Sequence, residues 1–244
     1  MQVITEGSPE YFTLFVLTII IIIIKSILCV FLLFKINKKK QDIGKLKLDL
    51  LLSIFIFILI LLVSRILLLI FDFVYTKFDN TTYYLEPQIF LWRISFVLVF
   101  IGLSIFIYTI DRKALKFKFK GIFSYLEILI AILIIIFPAN NLAEYQLLLY
   151  LTLIGTFIAI IIPIFFFYLA KLAPSGSDMR KTSISLAFGI VIYGIGANGQ
   201  SENILIPASI VFGSIAIVLL LILSLILKTI GLTILAYSAT KIKA

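Results

Sequence analysis

Between Leu17 and Phe34 the chain reads LTIIIIIIKSILCVFLLF, seventeen apolar or small residues broken by one charge, Lys25. A run of that length cannot be buried as a strand. In a bilayer it satisfies its own backbone only as a helix, which needs about 20 residues to cross at 1.5 Å each. Comparable runs recur along the whole chain, and the short alternating segments of a membrane barrel are absent. Composition agrees: 63% of the 244 residues are hydrophobic and 14% charged, against about half and a quarter in soluble domains.

The apolar runs predict an all-α integral membrane protein, a seven-transmembrane helix bundle forming one domain over residues 1–244. The spans are expected near 12–34, 48–75, 89–110, 121–138, 147–170, 182–198 and 204–228. A tail at 229–243 continues the last run, either as a projecting helix or as an interfacial helix. The first run lacks a preceding basic region and is long enough to span, so it reads as an uncleaved span rather than a signal peptide.

Orientation follows from the cations. Sixteen Lys and Arg fall in one alternate set of loops and termini, and only Lys77 in the other. The positive-inside rule therefore predicts an external N-terminus, a cytoplasmic C-terminus and a multi-pass protein of the cell membrane. The net charge of +9 is then a topology and inner-leaflet signal, and nucleic acid is not an expected partner. Trp92, Tyr145, Tyr150, Tyr75, Tyr83 and Tyr84 are placed at the outer headgroups. Asn80-Thr81-Thr82 is a glycosylation sequon on that same side.

There is no histidine, and the one cysteine, Cys29, lies in the first span. His/Cys metal sites and internal disulfides are excluded, and no cofactor is expected. HExxH and GxSxG motifs are missing, and no two carboxylates share a depth, so no enzyme is predicted. Retinal attachment is rejected because Lys228 is expected near the cytosol and the third span carries no acid.

Charges inside spans are costly and mark candidate sites. Counting from the inner helix ends places Lys25 at about 15 Å, Glu127 at about 10 Å, Arg65 at about 24 Å, Arg93 at about 26 Å, Asn198 at about 25 Å and Asp72 at about 35 Å. Arg65, Arg93, Asn198 and Asp72 form an expected outer layer suited to a small anionic ligand, since guanidinium groups pair with carboxylate or phosphate. The competing expectation is structural: Arg93 snorkels beside Trp92, and Asp72 neutralises Arg65. Lower down, Glu127 is expected to snorkel toward Lys118 and Lys120. Lys25 is expected to bury its amine against Ser53 or backbone carbonyls, or to be neutral, since desolvation disfavours the charged form.

Pro163 interrupts the fifth span, Pro207 opens the seventh, and Gly189, Gly194, Gly196 and Gly199 mark close packing or a loosened end of the sixth. The segment from Pro163 to Gln200, with its SGSDMRKTS loop and SLAFGIVIYGIG run, resembles a pattern in uncharacterised prokaryotic, especially archaeal, seven-helix membrane proteins. It is also similar to the membrane input regions of some sensor kinases. That resemblance implies a sensor-like bundle that passes its signal to a separate protein partner. The expected function is a receptor or sensor that binds a small anion from outside and signals through the inner loops near Arg112 and Arg180. A small-solute transporter and an accessory membrane subunit are the alternatives.

Overall fold

The structure is a computed structural model that describes residues 4–43, 49–79, 81–199, 205, 211 and 214–241. Asn80 of the sequon, Pro207, the counted cations Lys45, Lys47 and Lys243, and most of the segment before Ser214 lie outside these residues. Among the described residues the secondary structure is entirely helical. The helices are α1 (Pro9–Ile43), α2 (Leu50–Leu69), α3 (Gln88–Lys113), α4 (Ile122–Ile136), α5 (Leu142–Ala159), α6 (Ile161–Leu172), α7 (Asp178–Asn198) and α8 (Ser214–Ala239). Five stretches are long and apolar enough to cross a membrane: Pro9–Gln41, Leu50–Tyr75, Gln88–Lys113, Leu142–Leu172 and Ile215–Ala239. This is a membrane-embedded, multi-pass architecture.

Successive helices run antiparallel, except α5 and α6, which are two segments of one stretch. Lys25 of α1 meets Leu61 of α2, Phe57 of α2 stacks on Phe106 of α3, Ser104 of α3 bonds Ser124 of α4, and Phe167 of α6 packs on Phe188 of α7. α8 completes the bundle by packing on α7, α1 and α2.

Local sequence explains where the helices stop. Asp49 caps α2 by accepting from the Leu52 amide, and Lys39 of α1 clasps the same carboxylate at 2.6 Å, which satisfies an amide left orphaned by the first turn. α2 then loosens into a π-helical turn over Ile70–Tyr75 that contains Asp72. α4 ends at Ile136 because Phe137 precedes Pro138 and takes an extended conformation. The fifth expected span is divided: α5 stops at Ala159 and α6 resumes at Ile161, beside Pro163, whose missing N–H cannot bond back to Ala159. The α3–α4 connection is built on buried Asp111, whose carboxylate accepts from the Phe119 and Gly121 amides at 3.1 and 2.8 Å.

The structure decides between the two forms left open for the tail and revises the aromatic belt. α8 passes Lys228 without a break and continues to Ala239, so residues 229–239 are not a separate interfacial helix. Leu232, Leu235, Ala236 and Ala239 are buried because Gly231 lets α8 approach the backbone of α7 at Gly189 and Tyr193. The aromatic belt is also only partial. Tyr75 and Tyr150 are exposed, but Trp92 and Tyr145 are buried, edge to face with ring centroids 5.3 Å apart. They form an interior contact between α3 and α5 instead of facing headgroups.

Candidate functional site

Lys25 lies on the face of α1 that meets α2, 5% exposed, and its Nζ donates to the Leu61 carbonyl at 2.9 Å. The backbone-carbonyl expectation holds; Ser53 bonds Leu50 of its own helix instead. One turn above Leu61, Arg65 donates to the Thr18 hydroxyl of α1, and its Nη1 stands 4.0 Å from Oδ2 of Asp72. The π turn carries Asp72 to within this reach of Arg65.

The fourth member was misjudged from the sequence. Lys228 sits near the middle of α8, within electrostatic reach of both Arg65 and Lys25. The earlier depth estimate fails because it took the helix to start at 204 and end near 228, whereas α8 runs eleven residues further. Tyr193 of α7 is also within electrostatic reach of Arg65. Gly196 sets this geometry: a Cβ there would lie 2.7 Å from the Lys228 amide nitrogen, so only glycine lets α7 lie this close to α8 at that level. Gly189 and Gly199 are packed against α8 in the same way, while Gly194 has open space around it. The glycines therefore serve close packing, with Gly194 the exception.

The revised depth removes one of the two objections to a retinal lysine. On the other, α3 does carry an acid, Asp111, but near its end, where the carboxylate is held by the Phe119 and Gly121 amides, away from the level of Lys25 and Lys228.

Lys25 of α1, Arg65 of α2 and Lys228 of α8 thus lie within electrostatic reach of one another, and Arg65 faces the carboxylate of Asp72. Toward the start of α1 they are bounded by an apolar layer of Leu14, Leu17, Phe73, Ile217 and Leu221. Cys29, one turn from Lys25, is buried and reduced.

Arg93 and Asn198 are not brought to this cluster. Arg93 turns toward α4, donating from Nη1 to the Ile135 carbonyl at 3.1 Å and from Nη2 to the Phe137 carbonyl at 2.6 Å. It caps the negative end of α4 rather than snorkelling to headgroups. Asn198 is exposed at the end of α7 and donates to Gly194 of its own helix. Replacing Arg93 by alanine is expected to lower stability by about 1–3 kcal/mol, the cost of stranding those carbonyls. Thermal unfolding of the purified variant checks this.

Glu127 does not snorkel. It is fully buried, and Lys118 donates instead to the Tyr168 hydroxyl. Lys25 and Glu127 belong to different helix pairs, so no contact joins them.

Outside the spans, the Thr81 hydroxyl and amide both donate to Asp79 and hold its carboxyl below the ordinary range. Lys77 pairs with Glu6 at 2.9 Å, and that carboxylate holds its amine above the ordinary range.

Sequence reading missed Lys228 as a member of the site because helix length was judged from hydropathy alone. The available signal was glycine spacing: Gly231 lies inside the apolar run opposite the glycines of α7, which argues for continued helix packing through that point. Comparisons with protein families, curated proteins and solved structures return no match.

Proposed function

We propose that this chain is a seven-helix receptor or sensor-like protein of the cell membrane, with an external N-terminus, that binds a small anion at Lys25, Arg65 and Lys228. The observation that carries this reading is the grouping of three cationic side chains from three helices within electrostatic reach of one another, with Arg65 facing the carboxylate of Asp72. An anion with two acceptor oxygens matches the guanidinium fork of Arg65 and the point charges of the lysines. Asp72 sets the orientation of Arg65 and disfavours ligands of high negative charge. The seven-span count adds α4 and α7 to the five longest stretches, and the cation-rich loops support the orientation. In that orientation the apolar layer lies between the site and the external end, and its displacement is the event a receptor would couple to the inner loops.

The break between α5 and α6 favours a transporter as the second reading, because discontinuous helices are the moving or ion-binding parts of many carriers. A receptor needs no flux, whereas a transporter must carry its anion across a sealed vesicle.

The test is thermal unfolding of the full chain in detergent with chloride, acetate, inorganic phosphate or sulfate. A binding anion at a hundred times its dissociation constant is expected to stabilise by about 2.7 kcal/mol. If none of these anions raises the midpoint, or if Lys25→Met and Arg65→Gln respond as the natural chain does, the site assignment is wrong.

A further inference from the structure

The carboxyl of Glu127 is 0% exposed, and among the described residues neither of its oxygens has a hydrogen-bond partner. Its surroundings can be read from the contacts around it. One turn earlier on the same face of α4, Ser124 Oγ lies 2.7 Å from Ser104 Oγ of α3. The corresponding turn of antiparallel α3 carries Phe100, whose ring occupies the space left by the absent side chain of Gly155 on α5. Thr152, one turn from Gly155 on that face, is buried and bonds back to Leu149. Glu127 thus lies fully buried on the face of α4 that packs on α3, at the level of Phe100, Gly155 and Thr152.

Among the described residues no charged side chain pairs with it. On α3, Arg93 is committed to the far end of α4, Asp111 to the Phe119 and Gly121 amides, and Tyr108 lies beside Phe117 and Gly121. On α5, Glu144 bonds Asn140 and Asn141 near the helix start, Tyr145 packs on Trp92, and Tyr150 is exposed. On α4 itself Tyr125 is exposed. An ionised carboxylate shut away from bulk solvent and without a protein partner costs several kcal/mol. The uncharged acid is the form that these surroundings accept.

We propose that Glu127 is a proton-exchange site, uncharged while α4 is packed on α3 and α5, and releasing its proton to water when α4 separates from them. On opening, the acid O–H bond breaks, the electron pair stays on the carboxylate, and the proton passes to a water molecule. Closing reverses the step, and nothing is oxidised or reduced. The site is on other helices than the cationic cluster and does not depend on that cluster's role.

Infrared spectroscopy of the full chain in lipid nanodiscs tests it. A carboxylic-acid carbonyl band is expected that disappears in Glu127→Gln and shifts when the natural chain is moved into D₂O. Absence of any acid band lost in the variant overturns the proposal, and so does a band that stays unshifted in D₂O. A second measurement needs no variant. Dicyclohexylcarbodiimide, an apolar reagent, adds the acid O–H across its C=N bond; an acyl shift then leaves a stable N-acylurea with no leaving group. The peptide holding Glu127 is expected to carry this adduct in folded protein and to escape a water-soluble carbodiimide. An unmodified Glu127 in folded protein, with labelling only after denaturation, refutes the site.

Discussion

Gly231→Val is expected to unfold the bundle or keep α8 from docking, with a loss of about 3 kcal/mol or more. A Cβ at this position would collide with the Tyr193 amide nitrogen and lie 2.7 Å from the Gly189 carbonyl. Both obstacles are backbone, so no rotamer change relieves them and the helices must move apart. That separation also removes Lys228 from the cluster. The single cysteine provides the readout: Cys29 is buried, so its reaction with a thiol-specific dye on heating reports unfolding. Gly194→Ala is the matched control. Nothing lies within 4 Å of its added Cβ, and alanine is the better helix former, by about 1 kcal/mol. Equal unfolding midpoints for Gly231→Val and Gly194→Ala would show that α7 and α8 are not joined through these glycines.

Lys25→Met and Arg65→Leu are expected to move stability in opposite directions while both abolish stabilisation by anions. Methionine fills the volume of Lys25 and removes a buried charge that faces two other cations. The Leu61 carbonyl keeps its ordinary helical bond from the Arg65 amide, so nothing is stranded. Stability is expected to stay level or rise by about 1–3 kcal/mol. Arg65→Leu instead leaves Asp72, largely enclosed, without its cation and leaves the Thr18 hydroxyl without its donor. A loss of about 3 kcal/mol is expected. Unfolding with and without the stabilising anion checks both effects, and a Lys25→Met protein that still gains the full anion shift would remove Lys25 from the site.

The helical architecture was legible because apolar run length is a one-dimensional property: four of the five long crossings fall near where the hydropathy places them, and the last runs eleven residues past its expected end. Side-chain direction was not legible. Arg65 and Arg93 have almost the same estimated depth, yet one turns to α1 and the other to the end of α4, since depth carries no information about azimuth around a helix. Glu127 illustrates the same point. Its distance from Lys118 and Lys120 along the chain allowed snorkelling, but the Ser104–Ser124 bond fixes its face of α4 against α3. Lys228 was lost through a different error, because hydropathy marks where a helix can lie in lipid and says nothing of how far it continues against another helix.

The contact between α7 and α8 has a mechanical consequence. Their backbones touch at Gly189, Gly196 and Gly231, with no long side chain between them to bend. The two helices therefore behave as one stiff beam. Lys228 lies along that beam, and Ala239 is about 16 Å further on at 1.5 Å per residue. A tilt of this pair at the level of Lys228 would carry the end of α8 with it, beside Ser185, whose hydroxyl is bonded to Ser238 at 2.7 Å.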